Sequence, residues 1–338
     1  MTPSRLAVRS SYRTKQLVPV PLDKLLHERD IALDAAIDLN TSSSYSSARN
    51  MYLSFCQRQK LPFDPTPDTL SLFIVHEVLR NLEPRSVDSY LSGICNELEP
   101  FYPRVRIARR SPLVRRTLKG AMRLYSKPSK RKRALASDDL QLVINALGAS
   151  ADHDDKLFLA QLLSGFHALL RLGELVWPDS VKLRTSRKLS LRITVQTTSS
   201  TFSFLLHSHK SDKFFDGDRV LVDQQLSGAA PLDAFTTYLT SRDAKFPFHP
   251  QLWLRANGTS PTRRWFITRL KSFFPNDVSG HSMRSGGATA LAVTGVPPSS
   301  IQAIGRWSSD AWQLYIRKHP VLVHATMLAE QLTHAPPS

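Results

Sequence analysis

Thirteen lysines and arginines and no aspartate or glutamate lie between Pro100 and Ser137. A run of one charge sign this long cannot be packed into an apolar core without partners, so it divides the 338-residue chain into a part before it and a part after it. The run holds more than a quarter of the 45 cations of the chain. It reads either as a solvated helix face with a linker or as an electrostatic footprint on a phosphate backbone, and the excess of one sign favours the footprint.

Before the divide, residues 1–40 read as a basic arm with a short amphipathic piece around Leu25 to Leu39. From Thr41, cap-type serines precede Tyr45, Met51, Tyr52 and Phe55 at helical spacing. The proline-rich break LPFDPTPDTL ends that helix, and Thr66 or Asp68 can cap the next, LSLFIVHEVLRNL. Glu83-Pro84 and SVDSYLSGICNEL supply a third helix, and Pro112 opens a fourth, LVRRTLKGAMRLY. Residues 41–126 are therefore predicted to form a small all-helical unit. Residues 127–134 are expected to be a basic interdomain linker, and the cluster from Lys127 to Arg133 also has the composition of a nuclear import signal.

After the divide, Ser137 reads as the cap of SDDLQLVINALGAS, with acidic residues in its first turn. A longer helix, KLFLAQLLSGFHALL, leads into RLGELVWPDSVKL. The runs LSLRITVQ, TFSFLLHSH and DRVLVD, with a turn at Asp216-Gly217, predict a small antiparallel sheet, and helical patterns return from Pro231. The expected fold class is mainly α with a small antiparallel β-sheet, in a second unit spanning 135–338.

Composition narrows the partners. A hydrophobic fraction of 41% is ordinary for two globular domains, but a net charge of +17 and a pI near 10.2 favour nucleic acid over acidic small molecules. Two cysteines, Cys56 and Cys95, fit a reducing compartment rather than a disulfide framework. There is no run of eighteen apolar residues, and MTPSRLAVRSSYRTKQL lacks the apolar core of a signal peptide. The expectation is an intracellular protein with no membrane partner.

The stretch from Gly280 to Arg317 carries the chemistry. His281 and Arg284 stand three apart at a predicted helix start, so both can face one anion. Trp307 and Tyr315 follow, and Tyr315 is closely flanked by cations. Attack of a tyrosine on a phosphodiester passes through a five-coordinate phosphorus whose oxygens need fixed donors. Two guanidinium forks suit them, and Arg284 and Arg171 are the candidates, with Glu174 three residues after Arg171 as its partner. The leaving 5′ oxygen needs a proton, which Lys210 beside the predicted hairpin can donate, with Lys213 as its rival. His281 can exchange a proton as Tyr315 attacks, and Trp307 offers an indole N–H. Each residue also has a plainer reading: a helical ion pair for Arg171 and Glu174, exposed hairpin cations, a structural histidine, a core aromatic. No P-loop pattern and no zinc spacing occurs, and His153-Asp154-Asp155 reads as a helix start, so neither cofactor nor metal is expected.

Taken together, Arg171 with Gly173-Glu174-Leu175, Lys210 in HKSDKF, His281-Ser-Met-Arg284, Gly305-Arg306-Trp307 and Tyr315 resemble the tyrosine recombinase (phage integrase) family. The resemblance covers about 135 to 335, and HSMRSGGATALAVTGV with GRWSSDAWQLYIR is similar to recombinases of Crypton and DIRS-type mobile elements in eukaryotes. The unit at 41–126 resembles, by position, the SAM-like core-binding domain that precedes the catalytic domain in that family. The resemblance implies that Arg171, His281, Arg284 and Trp307 hold the scissile phosphate, Lys210 is the general acid, Tyr315 the nucleophile and Glu174 the buttress of Arg171. It implies a clamp on double-stranded DNA lined by Arg104, Arg106, Arg109, Arg110, Arg115, Arg116, Lys119, Arg123, Lys130, Arg131, Lys132 and Arg133. It further implies a DNA-bound homotetramer coupled through the segment after Tyr315, and a nuclear location if the host is eukaryotic. Two rival readings share these residues: a type IB topoisomerase-like relaxing enzyme, and an inactive DNA-binding relic.

Overall fold

A computed structural model of the chain describes residues 19–128, 132–186, 189–207, 217–228, 230–275 and 277–308. The chain forms two units, 1–129 and 130–338.

Helix starts in the first unit are fixed by side chains that accept otherwise orphaned N–H groups. After α1 (Leu22–Ala35), Asp38 caps α2 (Leu39–Gln59) by accepting from the Asn40 N–H at 2.9 Å. The serines expected to cap this helix lie inside it instead, and Ser44 Oγ donates back to the Asn40 carbonyl at 2.9 Å, an alternative open to a serine within a helical turn. Thr66 caps α3 (Pro67–Leu79), accepting from the Thr69 N–H at 3.2 Å; Pro84 opens α4 (Pro84–Leu98). A short α5 (Val105–Arg110), not expected from the sequence, precedes α6 (Pro112–Tyr125), whose cap is Ser111. The core joins Tyr52 and Phe55 of α2, Phe73 and Ile74 of α3, Leu91 and Ile94 of α4, and Val114 of α6. Helices α2 and α4 meet at Gly93, where a Cβ would stand only 2.9 Å from that of Ala48. Aromatic edges complete the packing: the Tyr52 and Phe73 rings lie 5.6 Å apart at 76°.

The second unit is built around α8 (His153–His167), buried continuously from Leu157 to Phe166 because other elements cover every side of it. Before it comes α7 (Ser137–Leu147), where Ala136, not Ser137, is the cap residue; Asp139 reaches back to accept the Ala136 N–H at 2.8 Å. The expected strand at LSLRITVQ is mostly a 3-10 turn at Arg192–Thr194. Only Gln196–Thr197 remains as β1. The cause is tertiary: Arg192 is drawn onto Asp243, with Nη2 to Oδ2 at 2.7 Å, and its backbone N–H donates to the Pro250 carbonyl. The sheet runs β1-β2-β3 antiparallel, with β2 (Thr201–Leu206) and β3 (Asp218–Asp223) in the register Phe202 opposite Val222 and Phe204 opposite Val220. Those side chains face α11 (Ala230–Lys245), and the Phe202 and Phe235 rings stack at 4.1 Å. Between the sheet and α11 lies the short α10 (Gln224–Ser227). Among the described residues the other elements are a one-turn α9 (Leu172–Leu175), a 3-10 turn at Val181–Leu183, α12 (Arg263–Phe273), α13 (Ser282–Val293) and α14 (Pro298–Ile304). The chain entering the unit is tied to α13: the Leu135 N–H donates to the Ser282 carbonyl at 3.0 Å.

Candidate active site

The site begins where α8 stops. Leu169 adopts a left-handed conformation, φ 51°, and the Leu170 N–H closes the turn onto the Gly165 carbonyl. The reversal places Arg171 at the cap of α9, beyond the end of the apolar helix α8. Glu174, buried, then folds back: Oε2 accepts the Arg171 N–H at 2.8 Å and Oε1 accepts Nη1 at 3.0 Å. Arg171 is held at both its backbone and its guanidinium by one carboxylate.

Helix α13 supplies the second guanidinium. His281 is the cap residue and is exposed, whereas Arg284, one turn on, is only 2% exposed. A buried charge needs partners. Arg284 donates Nη1 to the Leu169 carbonyl at 2.7 Å and Nη2 to the Gly305 carbonyl, so one side chain ties the α8–α9 turn to the turn after α14. Such an approach requires α13 to lie against the end of α8 at backbone distance. Gly286 and Gly287 permit it: a Cβ on Gly286 would stand 2.2 Å from the Leu135 carbonyl oxygen, and one on Gly287 2.0 Å from that of Phe166.

The turn after α14 completes the described part. Gly305 lies against the indole of Trp307, where a Cβ would fall within the ring, and the Trp307 ring lies under Arg284, 4.2 Å from Cζ to centroid. Between them Arg306 takes the left-handed conformation, φ 53°. Its Nη2 donates to Glu174 Oε2 at 3.2 Å and its Nη1 to the Ile304 carbonyl at 3.1 Å. Burial pulls the Arg306 guanidinium below its ordinary pKa, against the stabilising charge of Glu174. Next to this assembly, at the end of α8, burial pushes His167 down to about 4, so it is neutral at physiological pH.

Arg171, Glu174, Arg284 and Trp307 are thus brought together, three guanidiniums and one carboxylate when Arg306 is included. Tyr315, Lys210 and Lys213 lie outside the described residues, as do Lys130 and Arg131. From the sequence, Arg306 has a place within Gly305-Arg306-Trp307 but no role of its own; the structure shows it in a left-handed conformation that suits glycine.

The expected DNA-binding cations divide into two groups. Arg106 is engaged by Glu99 at 2.7 Å, Arg109 by Asp88 at 3.0 Å, and Arg133 by Asp139 and Asp277. Arg104 and Arg110 are exposed at the ends of α5. On α6, Arg115, Arg116, Lys119 and Arg123 are all exposed and at ~100° per residue fall within one arc of about 100°, a continuous cationic stripe. A second basic surface was not expected: Lys132, Arg263, Arg264 and Lys271 line an open cleft of about 400 Å³ that reaches Ser279, two residues before His281.

No protein-family model and no curated sequence matches the chain. Solved structures do. A Tn1549 transposon integrase in complex with transposon right end DNA matches over 91% of this chain and 98% of its own, with a TM-score of 0.57 at 15% identity. The fold is that of the tyrosine recombinases. The XerH site-specific recombinase in a post-cleavage complex with a palindromic difH substrate covers 86% of this chain and 79% of its own, with a TM-score of 0.56 at 14% identity. A lambda integrase dimer bound to a core site covers 87% and 94%, with a TM-score of 0.52 at 13% identity. In this recombinase fold the buried Glu174 and Arg284 and the partly buried Arg171 and Trp307 form one cluster linked through Gly305 and Arg306, and the glycine pair after Arg284 is what lets α13 approach it.

Proposed function

We propose that the chain breaks and rejoins double-stranded DNA by transesterification at Tyr315. The observation that carries this reading is the convergence of Arg171 and Arg284, from segments more than a hundred residues apart, beside Trp307, with a buried carboxylate fixing the first and two main-chain carbonyls fixing the second. Fixed guanidiniums match the non-bridging oxygens of a five-coordinate phosphorus and need no reorganisation as charge develops. Arg171, Arg284, His281 and Trp307 hold the phosphate; the Tyr315 oxygen attacks phosphorus as its proton passes to the His281 imidazole. The bond to the 5′ oxygen breaks, and Lys210, or Lys213 beside it, protonates that oxygen. A 3′-phosphotyrosyl ester and a 5′ hydroxyl result. A 5′ hydroxyl of the same or another strand reverses the step, so the count of phosphoester bonds is conserved and no nucleotide hydrolysis is required.

The α6 stripe and the cleft beside α12 are the surfaces through which DNA is held, since exposed cations that neutralise phosphates release the counterions condensed on the DNA. The finer parts of the reading are a DNA-bound homotetramer, a role in the movement of a mobile element, and a nuclear site of action. The test is incubation with nicked suicide DNA and a search for a covalent protein–DNA adduct, which Tyr315→Phe should lose. If the wild type forms no adduct, or the Phe variant still does, the proposal fails. Relaxation of supercoils without strand exchange selects the topoisomerase-like reading instead.

A further inference from the structure

The turn after α14 contains a residue whose backbone and side chain pull in opposite directions. At φ 53° Arg306 occupies a conformation in which glycine is comfortable and a long side chain is not. Its side chain is also 90% buried, an unfavourable place for a guanidinium. Besides the Ile304 carbonyl, which accepts Nη1, the arginine reaches a carboxylate there. Glu174 Oε2 accepts both the Arg171 N–H and Arg306 Nη2, while Oε1 accepts Arg171 Nη1. Among the described residues, the carboxylate's other partner is the residue it is meant to fix, three positions away at the cap of the same one-turn helix. Arg306 anchors it from a segment 132 residues distant. The same turn gives the Gly305 carbonyl to Arg284 and the indole face of Trp307.

From this geometry we infer that Arg306 is a positioning residue for the phosphate site, acting through Glu174 to lock Arg171 and, by its turn, to set Arg284 and Trp307 in one frame. The inference rests on the reading of the site as a DNA-cleavage centre. It assigns Arg306 no contact with the scissile phosphate.

The experiment compares wild type, Arg306→Gly, Arg306→Lys, Glu174→Gln and the double variant Arg306→Gly/Glu174→Gln. The full-length protein is assayed for thermal unfolding, DNA affinity and single-turnover adduct formation at saturating DNA. Because glycine suits the backbone, Arg306→Gly should fold and bind DNA as wild type does. Its cleavage rate should nevertheless fall by roughly 10- to 100-fold, the scale set by a misplacement of about 1 Å at a reacting centre. Arg306→Lys should recover most of that loss, because a single donor to Oε2 is what Glu174 receives. If Arg306 acts through Glu174, the double variant should be no slower than the slower single one. A wild-type cleavage rate in Arg306→Gly, or full additivity in the double variant, overturns the inference while leaving the cleavage reading intact. If the wild type forms no adduct, that reading falls, and the positioning role is decided by NMR of the Arg171 Nε–H group. An ordered signal in wild type that becomes mobile in Arg306→Gly and ordered again in Arg306→Lys supports it; an unchanged signal refutes it.

Discussion

Gly287→Ala tests the structural account most sharply, because one methyl group opposes one fixed backbone atom. The added Cβ would stand 2.0 Å from the Phe166 carbonyl oxygen and 2.6 Å from Leu169 Cδ2. Leu169 can rotate away; the carbonyl, at the end of α8, cannot. Since real Cβ contacts begin near 3.0 Å, α13 must retreat from α8 by about 1 Å. A shift of that size opens the 2.7 Å bond from Arg284 to the Leu169 carbonyl to about 3.7 Å, beyond hydrogen-bonding range. Overpacking costs about 1–3 kcal/mol and the lost charged hydrogen bond about 1.5–3 kcal/mol. For a unit of this size the sum corresponds to a fall in Tm of roughly 10 °C. Displacement of Arg284 by about 1 Å should lower single-turnover cleavage by about two orders of magnitude. Gly120→Ala is the comparison: its Cβ meets nothing within 4 Å, and the same substitution in the middle of α6 should stabilise by about 0.5–1 kcal/mol. Calorimetry and a suicide-substrate time course read both effects. A Gly287→Ala protein that melts and cleaves as wild type does would refute the claim that backbone contact between α8 and α13 sets Arg284.

The remaining predictions concern pH and salt. Burial holds His167 at about 4 in the folded state, against ~6.5 unfolded, so between these values the unfolded chain binds the extra proton and stability falls as pH falls. The loss should approach about 3 kcal/mol by pH 4, be absent above pH ~7, and flatten in His167→Phe when denaturant melts are taken across that range. On α6, Arg116→Ala should weaken DNA binding about equally on all sequences and reduce the slope of log K against log salt by about 1; an unchanged slope removes Arg116 from the DNA interface.

Much of this was legible in the residues. Helices α3, α4, α6 and α8 follow from apolar spacing with Thr66, Pro84, Pro112 and His153-Asp154-Asp155 at their starts, because capping and periodicity are local. Strands β2 and β3 follow from their β-branched and aromatic runs. Other elements resisted for one shared reason. Arg192 is turned out of the strand pattern by Asp243, 51 residues away, and the serines of α2 are poor caps once Asp38 lies ahead of them. Long-range partners overruled local preference in the first case and a better neighbour did so in the second.

For the proposed site, the sequence suggested the cast: two arginines, a carboxylate three residues after the first, a lysine beside the hairpin, a histidine one helical turn before the second arginine, a tryptophan and a tyrosine. Chemistry selects residue types, and types are written in the chain. What only the tertiary structure decided is how the described members are held. That Arg284 spends its donors on the carbonyls of Leu169 and Gly305, that Gly286 and Gly287 exist to allow it, and that Glu174 answers to Arg306 as well as Arg171 depend on backbones meeting across 115, 21 and 132 residues of chain. No local pattern encodes such meetings, because a hydrogen bond to a main-chain carbonyl leaves no mark on the identity of the residue that provides it.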